Sequence, residues 1–272
     1  MKNNNKFRLD VWGAITLVTI ALYALFLLYP MAYLIRQSVM DPDTGGFTLA
    51  YFTKFFSKSY YFDTLINSFK VSITATVLSI AIGTPLAYLF TIFKIKGKGV
   101  LNILIVVASM SAPFIGAYSW ILLLGRSGVI TTFFKDLGIA IPDIYGFGGI
   151  VVMTLQLFPL VFLYAKGALK NIDNSLIEAA ENLGCSGIAC FFKVVVPLIM
   201  PTLLAAALLV FMRSFADFGT PMLIGEGYRT FPVVLYNQFM GEVTNDSYFA
   251  AALCVIIMAI TLIFFFLQRW IS

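Results

Sequence analysis

Histidine is missing from this 272-residue chain. Without an imidazole there is no ordinary general base near neutral pH, no histidine ligand for a metal and no histidine-based pH switch. Charge is scarce as well. The 18 Lys+Arg and 13 Asp+Glu amount to 11% of the residues, where a soluble domain carries about 25%. So few charges cannot cover a globule of this size in water. Cysteine occurs three times, an odd number that offers no disulfide framework. What fills the chain instead is apolar: 60% of the residues are hydrophobic and the mean hydropathy is +0.93. These shortages make a water-soluble enzyme a poor fit and lead to a protein that crosses a membrane several times.

A bilayer core of about 30 Å asks for about 20 apolar residues per helix. That template fits the chain six times, at about 11–35, 65–93, 100–124, 147–169, 198–222 and 248–270. The fold class expected is therefore all-α and polytopic, a single transmembrane domain over residues 1–272. Lys2, Lys6 and Arg8 precede the first run. That run is longer than a signal-peptide core and no A-x-A-like site follows it, so it reads as a retained span. Pro30, Pro85, Pro113, Pro159 and Pro201 place one proline in each of the first five spans. A bend that serves packing is the ordinary reading, and a hinge is the alternative.

Basic residues orient the spans. With both termini in the cytoplasm, Lys2, Lys6, Arg8, Lys94, Lys96, Lys98, Lys166, Lys170, Lys193 and Arg269 fall inside, against Asp10, Asp173, Glu178 and Glu181. Outside, eight basic residues face nine acids. The cluster Lys94-Ile-Lys96-Gly-Lys98 in a very short loop is the strongest part of this argument. The positive balance reads as membrane topology, and nucleic acid is not an expected partner.

Hydropathy does not explain the inside loop at 171–197. Asp173, Asn174 or Ser175 can cap a helix that runs through Glu178-Ala179-Ala180-Glu181. Gly184 sits where that helix should stop, in a left-handed turn that excludes a Cβ. Ile188, Phe191, Phe192 and Val195 then recur at helical spacing, and Pro197 suits the start of the fifth span. On physical grounds, such a hairpin either docks in a groove of a cytoplasmic partner or lies at the interface against its own spans.

The spacing separates the two. Glu178-Ala179-Ala180, three residues, Gly184, nine residues, Val194, one residue and Val196-Pro197 resembles the cytoplasmic signature loop of ABC importer permeases. The family pattern is Glu-Ala-Ala, three residues, Gly, nine residues, Ile, one residue, Leu-Pro. Val194 and Val196 are the departures, and both are conservative. Gly83-Thr-Pro85-Leu-Ala-Tyr88 and Pro113 also resemble the type I permease core, and the likeness runs from about residue 65 to 270. The resemblance implies that Glu178, Ala179, Ala180, Gly184, Val194, Val196 and Pro197 form a coupling loop seated on a cytoplasmic ATP-binding subunit. It further implies a pair of such ATPases, a second permease unit and an external solute-binding protein. ATP and magnesium would be bound by the ATPase partner, with no cofactor and no catalytic residue in this chain. Some iron-type permeases fuse two six-span units, so this chain could be one half of such a protein or a subunit that pairs with another.

Three polar residues within the apolar runs are candidates for the pathway. Arg213 and Asp217 are four apart on the fifth span and would share a helix face. Either they neutralise each other near the outer interface or they line the path. Gln156, in mid-span, bonds a neighbouring helix or faces the path. Phe215-Ala-Asp217-Phe-Gly219-Thr-Pro221-Met-Leu-Ile-Gly225 resembles permeases of iron(III)-type importers and their phosphonate and polyamine relatives. On that likeness iron(III) is the expected substrate, with phosphonate, polyamine or another small solute as alternatives. Cys185 and Cys190 have no histidine partners and are not expected to hold a metal. A secondary transporter or channel is the rival class, but mid-span charges are few and no inverted repeat stands out. The expected location is the bacterial cytoplasmic (inner) membrane.

Overall fold

The computed structural model describes residues 11–93, 95–110, 112–139, 144–185, 187–241 and 246–271. Of the charges used to orient the spans, Lys2, Lys6, Arg8, Asp10, Lys94, Asp143 and Glu242 lie outside those residues. The described residues form helices joined by turns and short loops, without strands.

In chain order, α1 (Val11–Ser38) contains a π-helical turn at Ala24–Leu28 just ahead of Pro30. The short α2 (Ala50–Ser57) and the long α3 (Ser59–Ile92) follow. Next come α4 (Lys98–Ser109), α5 (Pro113–Leu124), α6 (Val129–Asp136) and α7 (Gly149–Lys170). Then α8 (Asn174–Asn182) leads into α9 (Gly187–Ala216), which has a π turn at Phe191–Val195. The chain ends with α10 (Gly219–Ile224), α11 (Phe231–Met240) and α12 (Ser247–Ile271). Six stretches are long and apolar enough to cross a membrane.

The chain divides into two compact units. In the smaller, formed by described residues of 1–58 and 237–260, the side chains of α1 are almost all exposed. An apolar helix with no protein cover suits lipid, because its backbone groups are satisfied within the helix. In the same unit Phe55 is fully buried. Lys54 Nζ lies 3.3 Å from Asp246 Oδ2 and 4.2 Å from the centre of the Phe249 ring. Asp41 closes the turn before α2, where the Asp43 N–H donates to its carboxylate at 3.1 Å and holds the carboxyl below its usual range.

The larger unit, 59–236 with 261–272, is built on α3, α7 and α9. The buried face of α3 is a stripe of small residues: Ser68, Ser72, Ala75, Ser79, Gly83 and Ala87. Small side chains let helix backbones approach closely, which is how helices associate where lipid supplies no hydrophobic drive. Phe90, Phe162, Phe191, Val195, Ile199 and Val210 fill the space at either side of that contact. Near the other end of α3, the Phe231 N–H donates to the buried Ser68 Oγ at 2.8 Å, and Asn67 Nδ2 donates to the Arg229 carbonyl at 3.1 Å. The polar start of the second span is thus used by the chain itself, and its helix begins at Ser59 rather than near residue 65.

Two expected spans are interrupted. The third, read as 100–124, falls on two helices, α4 and α5, and the stretch long and apolar enough to cross is Pro113–Asp136, α5 with α6. Pro113 therefore does not kink a continuous helix. It starts a new one, and Ala112 before it is extended (ψ 143), as the residue ahead of a proline is biased to be. The fifth, read as 198–222, ends at Ala216, and α10 begins only at Gly219. At its other end α9 starts ten residues before Pro197, so this proline follows the π turn inside a continuous helix instead of opening the span.

The contact at Gly83 has no slack. A Cβ there would lie 2.9 Å from both the Phe158 carbonyl oxygen and Val161 Cβ, and 3.0 Å from Phe162 N. Gly83→Leu must push α3 from α7, at a cost of about 1–3 kcal/mol for overpacking. Thermal unfolding of the purified chain should register this as a lower Tm than that of Gly167→Leu, where a Cβ would meet nothing within 4 Å.

Candidate functional site

The larger unit carries two candidate sites, the 171–197 loop and a polar cavity among broken helices. In the loop, Asp173 caps α8: the Ser175 N–H donates to its Oδ1 at 2.9 Å and keeps this carboxyl below the usual range. At the far end the Cys185 N–H donates to the Ala180 carbonyl at 3.0 Å while Gly184 sits at φ +85. This six-to-one bond around a left-handed glycine is a Schellman termination. Gly187 is also left-handed, at φ +56. Asp173, one of the capping residues offered by the sequence, is thus in place as a cap.

The apolar residues of the loop divide by face. Cys190, Phe191 and Val195 are buried, and Phe191 packs on Tyr88 with ring centres 4.6 Å apart. They fasten the loop to the spans. Leu183 and Ile188 stand out on either side of the turn, 89% and 78% exposed. Glu178, Ala179, Gly184 and Pro197 are exposed, whereas Ala180, Val194 and Val196 are half-buried. The two physical readings of the loop thus apply to different residues. One face packs on its own spans and the other is left open.

The second site brings together all three polar candidates. Gln156, Arg213 and Asp217 line one cavity of about 430 Å³, with Ser109, Pro113, Phe114, Met153 and Phe218 among its other walls. A second pocket of about 380 Å³ shares Ser109, Gln156, Leu157 and Arg213 with it. Gln156 is seven residues into α7, about 10 Å along the helix, so the cavity reaches well into the span.

Arg213 and Asp217 do not pair. The expected four-residue spacing on one face requires helix through Asp217, but Asp217 is extended (ψ 121) and ends α9. Its Oδ1 instead accepts from the N–H groups of Gly219 at 2.9 Å and Thr220 at 3.3 Å, capping α10. The Arg213 guanidinium has no hydrogen-bond or ion-pair partner among the described residues. Gln156 Nε2 is buried and unpartnered as well, so packing against a neighbouring helix does not account for it.

The residues that sequence reasoning missed sit at the breaks. Phe114 and Phe218 meet edge to face with ring centres 5.1 Å apart, and a Cβ on Gly219 would come within 3.3 Å of Phe114. Pro113 was the available signal, since a proline in mid-span permits a helix start as readily as a bend. No group of three or more Cys, Asp or Glu that could hold a metal ion occurs among the described residues.

A family model described as "Binding-protein-dependent transport system inner membrane component" matches residues 46–272. A putative ferric transport system permease protein FbpB of Haemophilus influenzae is 28% identical over 260 residues, covering 94% of this chain and 41% of that protein. A spermidine/putrescine transport system permease, PotB, of the same organism is 29% identical over 232 residues, covering 82% and 79%. The molybdenum permease ModB of Escherichia coli is 27% identical over 214 residues, covering 76% and 92%. The chain spans about two-fifths of the length of the ferric relatives, at 41% and 39%. Among solved structures, a bacterial alginate ABC transporter with its periplasmic protein superposes at TM-score 0.75 and 16% identity, covering 96% of this chain and 93% of that one. The MetNI methionine transporter gives TM-score 0.60 at 15% identity, covering 79% and 97%. At these identities the superpositions speak for the fold.

The glycine at the loop's turn separates space from backbone conformation. A Cβ on Gly184 would meet nothing within 4 Å, yet its φ is +85. A left-handed residue with a Cβ costs about 1–2 kcal/mol, and Asn bears it better than most. Amide exchange at Cys185 should therefore quicken in Gly184→Val and change little in Gly184→Asn.

Proposed function

Because the chain belongs to the family of binding-protein-dependent transport system inner membrane components, the permeases of type I ABC importers, we propose that it forms the translocation path of an ATP-driven importer and couples it to a cytoplasmic ATPase. As a member of that family it is a multi-pass protein of the inner membrane. The proposal adds that both termini lie in the cytoplasm, which puts the 171–197 loop on the ATPase side.

The observation that carries the coupling role is the division of the loop. Phe191 and Val195 anchor it in the core around Phe90 and Phe162, while Leu183 and Ile188 are exposed on either side of the left-handed Gly184 and Gly187. A partner seated on those two side chains would move α9 directly, because the loop's second helix is continuous with the span. Glu178, exposed on α8, would meet the same partner. ATP hydrolysis would be the partner's chemistry. A solute-binding protein would deliver cargo from outside, and a second permease unit, separate or fused, would complete the path. The path itself is assigned to the cavity of Gln156, Arg213 and Asp217, since an uncompensated charge within a span is tolerated only against water or a bundle interior.

For the cargo we propose iron(III). The ferric permeases matched at 26–28% identity support it. PotB and ModB match to a similar degree, and phosphonate, polyamine or another small solute is the alternative.

Leu183→Asp and Ile188→Asp should leave membrane insertion intact, because neither side chain is packed. Each should abolish substrate-stimulated ATPase activity in liposomes with the ATPase and the binding protein, as should Gly184→Asp. Wild-type stimulation in all three would remove the coupling role. In the same liposomes, stimulation by binding protein loaded with iron(III), but not with phosphonate or spermidine, is the expected outcome; stimulation by spermidine alone would replace the cargo.

A further inference from the structure

The cavity has a chemistry that the permease role does not require. Two helix breaks meet there, one between α4 and α5 and one between α9 and α10, where the candidate spans Pro113–Asp136 and Gly187–Ala216 begin and end. Irregular backbone inside a membrane is tolerated where it lines a cavity, and the ends of half-helices then present their dipoles to what passes. The two breaks differ in what they present. The N–H groups at the start of α10 are occupied by Asp217 Oδ1. The 12-residue α5 starts without a side-chain cap, and its Pro113 and Phe114 line the cavity. Proline has no N–H, so Phe114 and Ile115 hold the first free donors, at the positive end of the helix dipole.

The side chains add donors. Arg213, without a partner, offers a planar fork suited to carboxylate, phosphate or another oxyanion. Gln156 Nε2 is a buried donor with nothing to donate to, a costly state unless a ligand or water supplies an acceptor. The acceptor side is poor by comparison. Ser109, whose hydroxyl proton goes to the Val106 carbonyl at 2.6 Å, adds one neutral hydroxyl oxygen as an acceptor, and the lone carboxylate is partly committed to the α10 cap. One carboxylate beside an arginine is not a ligand set for a bare trivalent cation, which asks for several oxygen donors.

We propose that this cavity is an oxyanion site, and that cargo crosses it with a carboxylate or phosphate group turned toward Arg213, Gln156 and the start of α5. This rests on the assignment of the cavity to the path. The oxyanion can come from two sources, a free oxyanion or the anionic ligand of an iron(III) complex. In the second case the chain would pass iron as a chelate.

The test uses the full chain in lipid nanodiscs, with no ATPase present, so that its failure is distinct from failure of the coupling assay. Binding is read as a rise in Tm on titration with inorganic phosphate, citrate, ferric citrate and spermidine. The expected result is a saturable rise with at least one anionic probe. Arg213→Gln should weaken that response at least tenfold, Gln156→Leu severalfold, and Arg213→Lys less than Arg213→Gln. A rise with ferric citrate but not with citrate at equal concentration assigns the chelate, and a rise with phosphate or citrate alone assigns a free oxyanion. No rise with any anion, an equal rise in Arg213→Gln, or a rise with spermidine alone overturns the proposal.

Discussion

In hydrocarbon every backbone N–H and C=O must find its partner inside the protein, because no water is there to stand in. The architecture of this chain depends on that constraint. It makes the candidate spans among the described residues helical, and it limits where helices can stop within a membrane. The start of α5 at Pro113 and the break at 217–218 stand at the ends of two candidate spans, and both border one cavity. At the second, Asp217 takes up the N–H groups that the stop releases. At the first, α5 starts at Pro113 without a side-chain cap, and Pro113 and Phe114 line the cavity.

The same constraint explains why the core is made of small residues. With lipid as apolar as leucine, helices gain little by hiding leucines from it, and close backbone contact must supply the attraction. Gly83 against Phe158, Val161 and Phe162 is the tightest point of that contact. It holds α3 against α7, and α7 carries Gln156. The large aromatic residues of the core flank the small ones, so size alternates along the interface. Loop 171–197 hangs from this core through Phe191 and Val195, which is how a mostly exposed segment keeps a defined direction.

Much of this was legible in the residue order. Six apolar runs and an all-α class come from local signals, chiefly run length. Gly184 as a left-handed stop and Asp173 as a cap are likewise local, because each depends on atoms within five residues. Gln156, Arg213 and Asp217 were singled out because a polar group in an apolar run is conspicuous by itself. The failures have one cause. A proline or an aspartate in an apolar run marks that something happens, and it does not say whether the helix bends, ends or restarts. Pro113 and Asp217 were read as parts of continuous helices, and both stand at interruptions.

By itself, then, the sequence determined the class of the protein, the approximate position of its spans and the turn of its 171–197 loop, since those follow from hydropathy and from conformations that one or two residues impose. The tertiary structure alone decided that Asp217 serves the α10 cap and leaves Arg213 unpaired, and that Phe191 faces inward while Ile188 faces out. It also decided that the start of α5, Gln156 and Arg213 share a cavity. These residues are separated by tens of positions. Only the packing of α3, α7 and α9, with the helix breaks beside it, brings their donors to one place, and no local rule carries that distance.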